Sequence, residues 1–393
     1  MRLFSLFVSF VFVASGATAQ TIAPRGTEAT FDVASWNIEN FGTGAGGTQQ
    51  RLNAAAVIRQ ADIDLWALQE IVDVNDFNLL VQELEQDGYA GILGPEPRLG
   101  GDQRLAYIYK PDVVTVVATR SILTQNENDF AYRYPFEMFA SVTVGDAVQS
   151  MQIINIHAKC CGDQASYGRR SRAAAALKNY TDQLANDNRA LIVLGDFNDE
   201  LNQSIAGGLS PYRPYYTDTA TYTIATRELN QSNTPTYCSN SSCTSGSTLD
   251  HLLFTQDLAA SFLPASGDRY GELVAAIQNY RESTSDHLPV LASFTLVVVA
   301  DEPAPEAAGV ALLAPAPSPF RESTALRFRL DEPADVRLDV VDVLGRHVMS
   351  ASGPYAAGEH AVTLDGSDLA SGVYVVRLET GGAVQTRTVV RTR

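Results

Sequence analysis

Through residue 297 the apolar residues fall in short runs separated by polar stretches. Phe31–Trp36, Leu65–Gln69, Leu105–Tyr109, Val142–Val144, Met151–Ile156, Leu191–Leu194, Leu249–Phe254 and Val290–Val297 are short and mostly apolar, the pattern of strands buried on both faces. Gln49–Gln60 and Arg169–Leu184 read as helices, the second with alanines in its first half. Strands interleaved with helices predict an α/β domain around a buried sheet.

The pattern changes after residue 299. Ala300–Pro319 is rich in Ala, Pro and Glu, which predicts a linker, placed at 300–312. From Phe320 onward the chain alternates, as in Ala325-Leu-Arg-Phe-Arg-Leu and Val336-Arg-Leu-Asp-Val-Val, with Gly and Asp between the runs. That predicts a small β-sandwich. At the other end, Arg2, the apolar run Leu3–Ala14 and Ala17-Thr18-Ala19 have the layout of a signal peptide over 1–19. The run is shorter than the ~20 residues a bilayer span needs. Residues 20–299 are left as the main domain.

An exported chain changes how its four cysteines read. An even number favours disulfides. Cys238 and Cys243 would clip one polar loop. Cys160 and Cys161 are adjacent, so a bond between them would be strained, and cross-pairing stays open. The net charge is −17, with lysine only at 110, 159 and 178. Such a surface opposes nonspecific attraction to nucleic acid, so a polyanionic substrate would need a local basic patch. Arg169, Arg170 and Arg172 form the only dense basic run and are candidate backbone-phosphate contacts. Pairing with nearby acids is the competing reading. Tyr212, Tyr215, Tyr216 and Tyr222 could stack bases or touch lipid, but packing is the commoner fate.

The chemistry concentrates where apolar runs end. Asn37 and Glu39, Glu70, His157, Asp196 and Asn198, Asp250, and Asp286-His287 all sit at such ends. Strand ends are where a sheet presents side chains to a shared cleft. Hard oxygen ligands suit Mg²⁺, Ca²⁺ or Mn²⁺, and His supplies an acid or donor near neutral pH. All three histidines before residue 300 lie in these segments. His251 follows Asp250 directly and would point to the opposite face, so it is read as structural. Gly42-Thr-Gly44-Ala-Gly-Gly47 fits a dinucleotide fingerprint. The preceding strand already carries Asn37 and Glu39, so the run is read as a loop beside the site.

Six such segments, in this order, resemble the endonuclease/exonuclease/phosphatase superfamily, which includes pancreatic-type deoxyribonucleases, abasic-site endonucleases and bacterial sphingomyelinases. The resemblance covers roughly residues 30–297. It implies a four-layer α/β/β/α sandwich of two packed mixed sheets flanked by helices. It also implies a divalent-metal phosphodiesterase, with Glu70 as principal metal carboxylate and Asn37, Glu39 and Asp286 beside it. Asp196 would orient water, Asn198 hold phosphate, and His287 contact phosphate with its ring set by Asp250. His157 matches the deoxyribonuclease branch. Residues 313–393 resemble the C-terminal sorting domain of type IX secretion cargo through Pro317-Ser-Pro-Phe320, Val341-Asp-Val-Leu-Gly345-Arg346 and Ala370-Ser-Gly-Val-Tyr374. Ala316 and Ser318 depart slightly from that motif. The resulting expectation is a secreted or surface-attached nuclease that meets the type IX machinery and a nucleic-acid substrate. The competing readings are a sphingomyelinase-type phospholipase and a non-catalytic surface-binding protein.

Overall fold

A computed structural model describes residues 21–43, 47–97, 103–186, 189–296, 310–342, 346–370, 372–380 and 383–392. The expected signal peptide, most of the linker and the middle of the glycine-rich loop lie outside the described residues.

Two six-stranded sheets form the main domain. The first runs Asp268–Arg269, Val290–Phe294, Phe31–Phe41, Leu65–Ile71, Arg104–Tyr109, Ala90–Leu93. The second runs Val114–Ser121, Phe136–Val144, Ala147–His157, Leu191–Asp196, Asp250–Thr255, Tyr222–Ile224. Each contains one parallel pair, Phe31–Phe41 with Leu65–Ile71 and Ala147–His157 with Leu191–Asp196, and is otherwise antiparallel.

The period of two along each strand divides its residues between two cores. Phe31, Val33, Leu65, Ala67 and Tyr107 of the first sheet pack on Met138, Ile153, Ile192, Leu194 and Phe254 of the second. The opposite face of the first sheet, with Trp36, Trp66 and Leu68, is covered by helices α1 (Thr48–Ala61) and α2 (Val74–Glu85) through Val57, Ile58, Phe77 and Leu80. The outer face of the second, with Ile154, Ile156 and Val193, is covered by α3 (Gln164–Asn186) through Ala173, Ala174 and Leu177. The layers are therefore α/β/β/α, as expected. Burial on both faces is why these strands read as nearly unbroken apolar runs.

Polar groups join the sheets across the central core. Gln69 Nε2 donates to Asn155 Oδ1 (2.8 Å), and Asn155 Nδ2 donates to the carbonyls of Leu68 and Ala106. All these groups are buried, so each lost partner would leave an unsatisfied polar atom.

Two boundaries differ from the sequence reading. The strand read at Val142–Val144 begins at Phe136, hidden by Glu137, whose buried carboxylate accepts from Arg120 Nε (2.6 Å) and Tyr180 (2.8 Å). Helix α3 starts at Gln164, because Asp163 Oδ1 accepts the Ser166 amide (3.0 Å) and caps it earlier than the alanines suggest.

The C-terminal residues form a three-stranded sheet (Val310–Leu312, Ser323–Leu330, Gly358–Asp365) and a four-stranded one (His347–Tyr355, Ala334–Asp342, Gly372–Thr380, Ala383–Arg391). Leu326, Phe328, Leu338, Val340, Leu364, Val376 and Leu378 share one core. Val310–Leu312, assigned to the linker on composition, is a strand paired with Phe328–Leu330.

Candidate active site

The two parallel pairs point their C-terminal ends at the same edge of the sandwich. Asn37 and Glu39, Glu70, His157 and Asp196 close the four strands there. Asp250 opens an antiparallel strand at that edge and pairs in register with Asp196, which also pairs with His157. His287 precedes the strand antiparallel to Phe31–Phe41. Register breaks between Asn37 and Phe41 and between Leu68 and Ile71. Glu39 (φ 41°), Glu70 (φ 63°) and Asn198 (φ 51°) are all left-handed. Bulges and left-handed non-glycine residues cluster where side chains must be re-aimed.

His287 is held on every side. Its Nδ1 lies 2.7 Å from Asp250 Oδ2, and its carbonyl accepts from Tyr280 Oη (2.6 Å) and Trp36 Nε1 (3.3 Å). Ser285 Oγ accepts the His287 amide (2.9 Å) and donates to the Asn37 carbonyl (2.6 Å). The ring's Nε2 faces Asp196 Oδ2 at 4.0 Å and Asp286 Oδ1 at 3.9 Å. Burial opposes a charge on this ring, but Asp250, Asp196 and Asp286 outweigh it and hold its pKa well above the ordinary value. The bond to Asp250 also fixes the ring orientation.

His157 is driven the other way. Its Nε2 lies 3.5 Å from Asp196 Oδ2 and 3.6 Å from Glu70 Oε1. Burial, then the charges of Arg133 and His287, push its pKa well below the ordinary range. Arg133 enters from the loop before Phe136. It donates to the Ala158 carbonyl (2.8 Å) and to Gln103; burial lowers its pKa, against the opposing pull of the Glu70 and Asp196 charges. The sequence carries no local sign of Arg133, because its partners are distant along the chain.

Asp196 and Asn198 form a tight turn. Asp196 Oδ1 accepts the Asn198 amide (2.8 Å), and Asn198 Nδ2 donates to Asp196 Oδ2 (2.9 Å) and the Ala158 carbonyl (3.2 Å). Burial pushes the Asp196 carboxyl up to about 7, against the lowering charge of His287.

Glu70, Glu39 and Asp286 make up the acidic wall. Asn37 Nδ2 donates to Glu70 Oε1 and Asp196 Oδ2 (both 3.1 Å), while its oxygen accepts the Glu39 amide (3.0 Å). The Asn37 amide nitrogen is committed to these two carboxylates, while its oxygen, with one hydrogen bond, keeps a second lone pair beside the carboxylate oxygens that could meet a cation. Burial and then the charge of Asp286 raise the Glu39 pKa, and burial with Glu70 raises that of Asp286. Closely spaced carboxylates offering oxygen donors only fit a hard divalent cation. Asp196, Asp250 and His287 also bring ligand-type atoms within 4.8 Å of one another. There the 2.7 Å contact between Asp250 and His287 Nδ1 is a hydrogen bond, which suits proton holding better than coordination.

Residues 34–287 match the model of the endonuclease/exonuclease/phosphatase family. The chain belongs to that family. Its members are hydrolases of phosphodiesters or phosphate esters that use divalent metals. Residues 316–391 match the secretion system C-terminal sorting domain, which marks a secreted or surface-attached protein. Comparison with curated proteins returns no match. Similar solved structures include the human Nocturnin catalytic domain with bound sulfate (17% identity, TM-score 0.48, 70% of this chain and 100% of that one). An endonuclease/exonuclease/phosphatase from Beutenbergia cavernae DSM 12333 is 14% identical (TM-score 0.49, covering 92% and 100%). Truncated Caenorhabditis elegans TDP2 is 16% identical (TM-score 0.47, covering 68% and 98%).

Among the sequence candidates, the family domain brings Asn37, Glu39, Glu70, His157, Asp196, Asn198, Asp250, Asp286 and His287 to one edge. Within the basic run, Arg170 is a correction. Arg170 is fully buried, with Nε on Asp199 Oδ2 (2.9 Å) and Nη1 on the carbonyls of Lys159 and Cys161. It has no route to a substrate phosphate. Arg172 pairs with Asp129 (2.8 Å), and Arg169 Nε donates to the Asn128 carbonyl (2.6 Å). Those bonds tie α3 to the loop that carries Arg133. Cys238 and Cys243 are bonded, whereas Cys160 and Cys161 are free thiols. His251 is structural, buried between Thr226 Oγ1 (3.2 Å) and the Asp199 carbonyl (3.1 Å). Tyr212, Tyr215 and Tyr222 are core residues beneath α3.

Proposed function

We propose that the chain is a divalent-metal phosphodiesterase acting outside the cell, with nucleic acid as its substrate. The observation that carries this reading is the opposite polarisation of two buried histidines beside one acidic wall. Asp250 holds a proton on His287, so its Nε2–H can donate to a phosphate oxygen or a developing negative charge. His157 stays neutral beside Asp196 and Glu70. The raised Asp196 carboxyl, braced by Asn37 and Asn198, can accept a proton from attacking water near neutral pH. Arg133, whose charge is coupled to Glu70 and Asp196, would supply a fixed cation for the phosphate.

Glu70, Glu39 and Asp286 would hold the cation, Mg²⁺ being the first choice and Ca²⁺ or Mn²⁺ the others. When bound, it would neutralise phosphate oxygens and ease departure of the leaving oxygen. Asn37 sets the orientation of Glu70 and Asp196 through its amide nitrogen, and its oxygen would be available as a further ligand.

A phospholipase would want exposed apolar loops for a bilayer. The tyrosines that could have served are mostly core, and Leu52, Leu79, Val148, Leu209 and Leu263 are exposed at scattered positions along the chain. A binding protein has no need of a proton-holding Asp–His pair. The test is cleavage of plasmid DNA, RNA and sphingomyelin liposomes with Mg²⁺, Ca²⁺ or chelator. Metal-dependent nicking of nucleic acid that is lost in Glu70→Gln is expected. Cleavage of lipid alone would move the chain to the phospholipase branch, and inactivity throughout would overturn the hydrolase reading.

A further inference from the structure

The loop after His157 carries two thiols that the hydrolytic chemistry does not use. Its backbone is held at three points: the Ala158 carbonyl by Arg133 and Asn198, and those of Lys159 and Cys161 by buried Arg170. Adjacent side chains on an extended backbone point to opposite sides. Here Cys161 adopts φ +87°, and the two sulfurs sit 2.8 Å apart on one side. A left-handed non-glycine residue is strained and persists only where the surroundings impose it. Lys159 Nζ lies 3.1 Å from Cys160 Sγ. Cys161 is exposed and Cys160 half-buried, so a small reagent can reach them.

We propose that Cys160 and Cys161 form a reversible dithiol/disulfide couple on the rim of the active site, and that closing it tunes the enzyme. The oxidant is a low-molecular-weight disulfide, RSSR, of the kind found where exported proteins meet oxidising conditions. The Cys160 thiolate, with Lys159 stabilising its charge, attacks one sulfur of RSSR and expels RS⁻. The Cys161 thiolate then attacks the Cys160 sulfur of the mixed disulfide and expels the second RS⁻. Two cysteine protons end on the two departing thiolates. The protein loses two electrons, and RSSR becomes two RSH. A bonded pair sits at ~2.05 Å, so the sulfurs have less than ~1 Å to travel. Burial raises the Cys160 thiol, but hydrogen bonds from Cys161 and Lys159 leave its pKa below the ordinary value. Closure removes the thiol that Lys159 contacts and pulls on the segment whose Ala158 carbonyl positions Arg133 and Asn198. The couple goes beyond the proposed hydrolysis, and only its tuning effect rests on that reading.

The test treats the reduced full chain with oxidised glutathione and maps its peptides by mass spectrometry. The peptide holding both cysteines should lose two hydrogens and carry no glutathione, and a thiol reductant should restore it. Cys160→Ser and Cys161→Ser should each retain a glutathione adduct instead. A lasting adduct on the native chain, or two unreacted thiols, overturns the couple. Hydrolysis measured on the same samples should change about fivefold or more on closure and stay constant in the double serine variant. Closure with an unchanged rate overturns the tuning role. Absence of hydrolysis in every sample would instead count against the proposed function, while the mass readout still judges the couple.

Discussion

Asp250→Asn removes one charge and no volume, which makes it a clean probe of how His287 works. In the native chain Asp250 Oδ2 sits 2.7 Å from His287 Nδ1, and both groups are buried. A hydrogen bond to a charged partner contributes about 1.5–3 kcal/mol, against about 0.5–1.5 for a neutral one. If His287 carries its charge through the transition state, the substitution costs about 1–2 kcal/mol, or roughly 5–30-fold in kcat/KM. The pH profile gives the sign. Asp250 raises the His287 pKa, so its loss moves deprotonation to lower pH, and the alkaline limb of activity should shift toward acid. The assay is steady-state hydrolysis at saturating metal across pH for the native chain, Asp250→Asn, His287→Ala and the double variant. The double variant should be no worse than His287→Ala, because Asp250 acts through the ring. Additive losses, or Asp250→Asn within twofold of native with an unmoved alkaline limb, would refute the argument.

Arg170→Met strands the Asp199 carboxylate in a dry interior and should destabilise by about 3–5 kcal/mol. Arg172→Ala, which removes an exposed guanidinium, should cost under ~1 kcal/mol, and equal losses in chemical denaturation would contradict the buried assignment. Burial raises Asp64 from the ordinary 3.8 to about 6 despite hydrogen bonds from Asp32 and Lys110. The native state therefore holds that proton more tightly than the unfolded chain. Its contribution falls as pH rises through 3.8 to 6, by at most about 3 kcal/mol. Native stability should drop relative to Asp64→Asn over that window, and parallel curves would exclude it. Mg²⁺ or Ca²⁺ should raise the native melting temperature, with a gain of about 2.7 kcal/mol at a hundred times Kd. The gain should vanish in a Glu70→Gln/Asp286→Asn variant, and equal shifts in both would place the cation elsewhere.

Legibility in the sequence divides along physical lines. Strand positions and the residues at their ends were readable because both depend on local periodicity: Asn37, Glu70, His157 and Asp196 each follow an apolar run. Where a buried charge interrupts such a run, as Glu137 does in Phe136–Val144, periodicity fails, because the compensating Arg120 and Tyr180 lie on other elements. The same blindness affected the arginines. A basic cluster beginning at Arg169 looks solvated in sequence, and only the packing of α3 against the Asp199 loop shows that Arg170 is the buried half of an ion pair. Arg133, the cation that does face the carboxylates, sits alone in the sequence.

The histidines carry this point furthest. His157 and His287 look alike in sequence, each beside a strand and near acidic residues. The fold sets Asp250 against one ring and the Arg133 charge near the other, and burial then amplifies both fields. These fields favour the charged form of one ring and the neutral form of the other, with Asp196 in reach of both. Acid and base roles can therefore divide at one pH among residues of ordinary intrinsic pKa. That division is a property of the tertiary arrangement, which brings residues 133, 157, 196, 250 and 287 to one edge of the sandwich.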